Sequence, residues 1–499
     1  MRVFTPLVSI FALLFLSTSM PVAGADQKFE NLFKDAIGKL LPAKNENVQQ
    51  VKVPVSMGQI QLSFAPLVKQ VAPSVVNVYA SRKIVQRSPF AGDPFFERFF
   101  GGRGKGRLQK RHQSSLGSGV IVDASGIIVT NNHVIKGADS VKISLSDGRE
   151  FECEIILKDE KSDLAILKTK EIQNFPAITM GDSEAVEVGD LVLAIGNPFG
   201  VGQTVTSGIV SAVARSRRGI NDFGFFLQTD ASINPGNSGG ALVDMNGHLI
   251  GINTAIFSKS GGSNGIGFAI PSNMVRVVVS SSETGSKVKR PWIGASFQAV
   301  TSEIADSLGM ARPRGALVVG VVTGGPAHNA GMSAGDVIIA VNEQPLQHLD
   351  AMGYRLTTIG IGGLASFKVL SKGKEKTVSM KLTAAPETVP REVLSMPDES
   401  ALGGSVVANL SPAISQEIGM PGNKKGVVVM RVARRSPAAQ NGLRPFDIVR
   451  EINGEKIKSS KHLLEIAESL SDHWEIMVDR KGRELVFARQ GGFFRQFLR

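Results

Sequence analysis

The stretch TDASINPGNSGG, residues 229–240, sets Ser238 among three glycines and a proline, between apolar runs. Glycine admits backbone geometry that other residues resist. Such a stretch is therefore either a turn or backbone shaped to present one hydroxyl. A serine hydroxyl is a weak nucleophile at neutral pH. It needs a base beside it, a group that orients the base, and donors for the oxyanion that develops. Two upstream stretches supply candidates. IIVTNNHVI puts His133 at the end of a strand pattern beside Asn131 and Asn132, and KDEKSDLAILK puts Asp163 at the mouth of the apolar run 164–167. Each alone has a bland explanation: a turn serine, a packed or surface histidine, a strand-start aspartate. Together they give the order His, Asp, Ser within one region.

That order separates two classes of hydrolase. GNSGG also satisfies the G-x-S-x-G pattern of α/β-hydrolases, but there the acid and histidine follow the serine, which sits on a strand-to-helix turn. Here Ser238 is followed by the strand-like ALVDMNGHLIGI, with no helix signal. The order His, Asp, Ser is that of the double-barrel serine proteases.

These residues must be positioned by short strands. From about Phe64 to Val278 the chain runs as short apolar segments punctuated by Gly, Asn and Asp. SGVIVDASGIIVTNNHV and GALVDMNGHLIGINTAI read as hairpins, the second with Asn246-Gly247 as its turn. This predicts a β-barrel or sandwich. The C-terminal half holds a repeat without a gap: Gly315, Pro326, Gly331, Asp336 and Asn342 match Gly426, Pro437, Gly442, Asp447 and Asn453. Each copy reads as a strand, a short helix with Pro at its first position and Gly past its end, and a second strand. Two copies mean two similar modules rather than a solenoid. The proline-rich stretch LTAAPETVPREVLSMPDES reads as the connection between them.

TNNHVI, SDLAILK, GNPFG and TDASINPGNSGGAL, together with the repeat, resemble the HtrA (Do-like, DegP/DegQ) family of serine proteases, from about Phe64 to about Arg489. The resemblance implies a mainly β protein: a chymotrypsin-like double β-barrel protease domain followed by two PDZ domains, which are small, partly open α+β barrels. The resulting division is a signal peptide at 1–25, an N-terminal segment with an amphipathic helix at 26–62, the protease domain at 63–283, PDZ domains at 284–385 and 400–490 with a linker at 386–399, and a tail at 491–499. The resemblance makes Ser238 the nucleophile, His133 the base and Asp163 its orienter. It builds the oxyanion hole from the N–H groups of Gly236 and Ser238, with Asn237 shaping the turn. SGGSNGIGFAIPSN resembles the loop beside the primary pocket, with Ile266, Gly267 and Phe268 there; the alternative, that Ile266 and Phe268 are core, stays open. Trp292, Ile293 and Gly294 match a carboxylate-binding loop, whereas ALGGSVV in the second module matches it less well, through Leu402 and Gly403, and reads as serving assembly.

The rest of the chain bounds the function. It has 499 residues, a net charge of +12 and a single cysteine, Cys153, so no disulfide forms within it. Arg2, the apolar run 7–16 and Ala23-Gly24-Ala25 read as a secretory signal, with an uncleaved anchor as the alternative. Export without disulfides fits a bacterial periplasm. KFENLFKDAIGKLL reads as a docking helix, and Phe95, Phe96, Phe99 and Phe100 as a helical stripe that either packs in the core or meets another subunit. The resemblance implies trimers or larger assemblies built from them. The basic stretch GGRGKGRLQKRHQ, residues 101–113, has no nucleic-acid-binding motif beside it and reads as a solvated loop, and no nucleic acid is expected. The tail GGFFRQFLR is left between disorder and a membrane or partner contact. No cofactor is expected, and no histidine has metal-ligand spacing. The function read from all this is ATP-independent cleavage of unfolded or damaged exported proteins, with exposed chain ends caught by the PDZ modules. A chaperone with latent proteolysis and a hydrolase of small esters are the alternatives.

Overall fold

The computed structural model describes residues 63–86, 109–197, 202–215, 225–234, 236–256, 263–285, 287–420, 422, 424–469, 473–490 and 493–498. The signal segment, the docking helix, the stripe of four phenylalanines and the basic stretch up to Leu108 lie outside the described residues.

Twelve strands form two closed antiparallel barrels. β1 (Val75–Gln86), β2 (Gln109–Asp123), β3 (Ile127–Asn131), β4 (Ser140–Ser144), β5 (Glu150–Asp159) and β6 (Leu164–Thr169) make the first, in the order β1-β2-β3-β6-β5-β4. β7 (Leu191–Gly196), β8 (Thr204–Arg215), β9 (Phe226–Thr229), β10 (Ala241–Val243), β11 (Leu249–Ile256) and β12 (Gly267–Pro271) make the second, in the order β10-β11-β12-β9-β8-β7. The two hairpins read from the sequence are β2–β3 and β10–β11. Closure leaves no open edge strand in either barrel. Alternation at the start of β5, with Phe151 and Cys153 buried between exposed Glu150, Glu152 and Glu154, shows how one face of a strand fills its barrel. Past a bulge between Ile155 and Leu157, Leu157 packs in a different cluster.

Helix Ser272–Glu283 follows β12 and lays Met274, Val275 and Val278 into a separate core, shared with residues of both barrels and of the first repeat module such as Val129, Leu193 and Val318. The first repeat module then forms a sheet in the order β13-β14-β15-β17-β18, from β13 (Ala295–Ala299), β14 (Ala316–Val321), β15 (Val337–Val341), β17 (Leu364–Ser371) and β18 (Lys374–Lys381), with the short β16 (Gln344–Pro345) paired to β15. Helix Asp350–Ile359 covers it. The second module repeats this with β20 (Ser405–Asn409), β21 (Val427–Val432), β22 (Ile448–Ile452), β23 (Glu455–Lys456), β24 (Trp474–Arg480) and β25 (Arg483–Gln490), under helix Ser460–Ser469.

The residues that match between the repeats do the same work in each. Pro326 and Pro437 open four-residue helices. Asn342 and Asn453 take the left-handed conformation, and their side-chain oxygens accept the N–H of Ser366 and Glu475 on the neighbouring strand, both at 2.8 Å. Asp336 and Asp447 accept the N–H of Ser333 and Arg444 and pair with Lys376 and Arg480.

Two short strands appear where the sequence shows no strand pattern. β19 (Leu394–Ser395) lies within the stretch read as linker and pairs with β20, and β26 (Phe493–Leu498) lies in the tail and pairs with β25. Both draw their hydrogen bonds from an existing sheet edge.

Candidate active site

The site lies where the barrels meet. Asn131 ends β3, and a one-turn 3₁₀ helix, Asn132–Ile135, carries His133. Asp163 immediately precedes β6, the strand paired to β3, with Asn131 opposite Leu164. Register alone therefore brings His133 and Asp163 together across 30 residues. Asp163 adopts φ 58°, a left-handed backbone that a non-glycine residue rarely takes. Its neighbours hold it there: the Asp163 carbonyl accepts from Asn132 N at 3.0 Å and Asn131 Nδ2 at 3.1 Å. That pose aims the carboxylate at the histidine. Oδ1 accepts the His133 backbone N–H at 3.0 Å, and Oδ2 lies 2.6 Å from His133 Nδ1. The carboxylate is buried while the imidazole is half exposed. This leaves the other ring nitrogen available to a substrate-side proton.

The second barrel contributes Ser238, in the turn before β10. Gly236 has φ 101° and Gly239 φ 86°, both in the region that only glycine occupies without strain. A Cβ at Gly239 would also sit 2.0 Å from the Ser118 carbonyl oxygen. Among the described residues, the N–H groups of Gly236 and Ser238 donate to no acceptor, whereas those of Asn237, Gly239 and Gly240 are all engaged. Two neighbouring unengaged N–H groups beside a serine hydroxyl are what an oxyanion site requires. The Asn237 side chain is fully buried against Gly196. Ser238 Oγ donates to the Thr254 carbonyl at 3.1 Å.

Two further residues were missed in the sequence. Thr254 on β11 donates its hydroxyl to Asp163 Oδ2 at 2.9 Å. Ser118 on β2 is fully buried and bridges the barrels: its N–H donates to the Ser238 carbonyl at 2.8 Å, and its hydroxyl donates to the Gly236 carbonyl at 2.7 Å while accepting Asn197 N at 2.8 Å. LGSG and GINTAI carry no motif of their own, so only the fold reveals them.

The other sequence-derived candidates are placed as follows. Phe268 is buried, its ring edge-on to Phe226 at 5.9 Å, while Ile266 stays partly exposed. Gly267 lies against Ile233. Trp292, Ile293 and Gly294 form the loop before β13, with the Trp292 ring against Gly294, whose φ is 73°. Among the described residues no group of side chains has the makings of a metal site.

The match to known proteins agrees with this geometry. Residues 117–252 match the trypsin-like peptidase domain, and residues 291–382 and 407–488 each match the PDZ domain. The periplasmic serine endoprotease DegP of Salmonella typhimurium is 40% identical over 430 residues, covering 82% of this chain and 87% of that protein. The chain belongs to the DegP family of serine endoproteases. A probable periplasmic serine protease do/HhoA-like protein of Haemophilus influenzae is 39% identical over 440 residues, covering 85% of this chain and 90% of that one. Among solved structures, the HtrA-type protease AlgW with a decapeptide is 44% identical, with a TM-score of 0.51, over 65% of this chain and 99% of that one. This DegP-family chain is thus a serine endopeptidase with two PDZ domains. The candidate nucleophile Ser238 is followed by strand β10 rather than by a helix, unlike the α/β-hydrolase arrangement.

Proposed function

We propose that the chain degrades unfolded or damaged polypeptides in the periplasm, with Ser238 as nucleophile, His133 as general base and then acid, and Asp163 as the group that fixes the imidazole. Ser238 Oγ attacks the scissile carbonyl and passes its proton to the free ring nitrogen of His133. Asp163 keeps the Nδ1 proton in place and supports the imidazolium. The N–H groups of Gly236 and Ser238 stabilise the tetrahedral oxyanion, and the imidazolium then protonates the leaving amine. The observation that carries this reading is the 2.6 Å contact between His133 Nδ1 and a buried Asp163 carboxylate, in a barrel facing Ser238 and its two unengaged N–H groups. Ile266 and Gly267 border the primary pocket and Phe268 backs it, which suits small aliphatic side chains. Trp292, Ile293 and Gly294 catch substrate ends in a backbone nest. The chain works as a trimer or a larger assembly of trimers, exported by its N-terminal signal and with peripheral membrane contact at most.

The test is degradation of an unfolded protein such as reduced casein. Ser238→Ala should lower the rate by about 10⁶-fold and leave unfolded-protein binding intact, and a serine-reactive phosphonate should label Ser238 alone. Cleavage by Ser238→Ala at the parent rate, or label on another serine, overturns the assignment. One observation favours a second reading, a chaperone with latent proteolysis: Ser238 Oγ donates to the Thr254 carbonyl, which turns its proton away from the base. Under that reading, casein is bound and left uncut until an added peptide or heat restores labelling.

A further inference from the structure

A PDZ domain takes an extended peptide as an extra strand on the edge beside its carboxylate loop, with its helix as the far wall of the groove. The internal repeat allows the two grooves of this chain to be compared residue by residue. In the first module, Ala327 N donates to the Ile293 carbonyl at 2.8 Å and Val322 N to that of Gly294 at 2.7 Å. In the second, Ala438 N donates to the Gly403 carbonyl at 3.0 Å and Ala433 N to that of Gly404 at 2.9 Å. Ile293 and Gly294 thus correspond to Gly403 and Gly404, and β13 corresponds to β20.

The two edges differ. β13 ends its sheet, with β14 as its one neighbour among the described residues. The N–H groups of Ile293 and Gly294 donate to nothing among the described residues. A cavity of 340 Å³ lies beside them, lined by Trp292, Ile293 and Phe297 of the first module and by Gln416, Met420 and Gly422 of the second. β20 instead has a second neighbour: Leu394 pairs with Val407 and Ser395 with Val406, antiparallel. The added segment runs along the whole groove. Met396 N donates to the Ser405 carbonyl at 2.9 Å, and Asn409 N donates to the Arg391 carbonyl at 3.0 Å. On the helix side, Ser460 Oγ donates to the Glu392 carbonyl at 2.8 Å, and Lys461 pairs with the Glu392 carboxylate at 2.8 Å. Leu394 and the buried Met396 join the core of the module. The loop itself is partly engaged: Gly403 N donates to the Ser400 carbonyl at 2.9 Å and Ser405 N to that of Leu402 at 3.1 Å, while Gly404 N has no acceptor among the described residues.

We propose that residues 390–396 occupy the peptide groove of the second PDZ domain in cis, as a built-in pseudo-ligand that keeps foreign polypeptide ends out of that groove. The segment runs in the direction a ligand would take, antiparallel to β20 and toward the carboxylate loop. Where a ligand would stop at its carboxylate, the chain turns back through residues 397–404 and becomes the loop. A foreign end would have to displace both the strand and the loop's internal hydrogen bonds. The inference deepens the reading of end capture by the PDZ domains, and it stands apart from catalysis.

The test uses the full chain with Ser238→Ala, so that no probe is cut. Hydrogen exchange should show the amides of Met396 and Asn409 protected as strongly as those of β21. Exchange of Met396 at the rate of an unstructured peptide overturns the proposal without any variant. In a Cys153→Ser background, Ser395→Cys with Val406→Cys should oxidise to a disulfide within one chain, since directly paired antiparallel residues lie within disulfide reach. A cross-link joining two chains on a non-reducing gel overturns the cis assignment. Uptake from a mixture of random decapeptides with free carboxyl ends should be the same for the cross-linked and reduced chains. A fall of half or more on cross-linking overturns the proposal. Loss of casein cleavage in the Ser238 parent would bear on the catalytic reading and leave these readouts unchanged.

Discussion

Thr254 donates its hydroxyl to the same Asp163 oxygen that pairs with His133, so one carboxylate oxygen is held from both barrels at once. The Thr254 carbonyl also accepts from Ser238 Oγ at 3.1 Å, which makes this single residue touch both Asp163 and the proposed nucleophile. A hydrogen bond to a buried charge contributes about 1.5–3 kcal/mol. Thr254→Val keeps the shape and removes only the donor. It should lower kcat by roughly 10- to 100-fold, with KM for a peptide substrate little changed. Asp163→Asn should cost about 10⁴, because it also reverses the tautomer preference of the imidazole. A Thr254→Val enzyme with parent kcat would show that Asp163 needs no support from the second barrel.

Ser118 makes a separate prediction about the proposed oxyanion site. Its hydroxyl fixes the Gly236 carbonyl, and with it the plane of the peptide that follows Gly236. Ser118→Ala should reduce kcat by about 10- to 100-fold, below the 10²–10³ lost when an oxyanion donor is removed outright. Affinity for a peptide boronate, whose tetrahedral adduct needs the same donors, should fall in parallel, while substrate KM stays near the parent value. A uniform loss in KM and stability with no change in boronate affinity would reduce Ser118 to a packing role.

The matched aspartates of the repeat predict unequal stability costs. Asp447 is fully buried, and both its oxygens lie 2.7 Å from the Arg480 guanidinium. Asp336 is also buried, but its partner Lys376 is partly in solvent. Removing one member of a buried pair strands the other and costs about 3–5 kcal/mol, so Asp447→Ala should unfold the second module well before the first. The chain has two tryptophans, Trp292 in the first module and Trp474 in the second, and each reports on its own module. With Trp292→Phe, the urea midpoint read from Trp474 should drop sharply for Asp447→Ala. With Trp474→Phe, the Trp292 transition should shift less for Asp336→Ala.

What the sequence disclosed follows from where chemistry leaves a mark on residue type. The proximity of His133 and Asp163 was legible because few residue types suit the proposed triad, and the glycines around Ser238 advertise an unusual backbone. The repeat was legible because Pro326, Asn342 and their partners in the second copy sit at turns that only a few residues tolerate. Thr254 and Ser118 were invisible because a strand threonine and a strand serine are ordinary, and their roles come from register and from the second barrel. The strand at Leu394–Ser395 and the strand at Phe493–Leu498 were invisible for a related reason: short edge strands draw their hydrogen bonds from a neighbour and need little pattern of their own. Phe268 was read as either pocket or core, and its burial, packed on Phe226, is set by the β12–β9 pairing rather than by its own stretch.

Cys153 yields the last prediction, and it concerns pH. It faces into the first barrel from β5 and is buried, and that burial pushes its thiol up to about 12 from an ordinary value of 9.0. The thiolate is the reactive form, so at pH 8 only about one thiol in 10⁴ is ionised in the folded chain. An aromatic disulfide reagent should label the native chain at least about 10³-fold more slowly than the urea-unfolded chain, which should take up one equivalent. The same shift makes alkaline pH destabilising. The unfolded chain releases this proton near its ordinary value, whereas the folded chain holds it until about 12, so the unfolded state is favoured increasingly as pH rises through that window. Cys153→Ala removes this titration. The parent should therefore lose more stability than the variant between pH 9 and pH 11 in urea melts, and equal slopes for the two would show that the thiol is ionised, or reached by solvent, in the folded barrel.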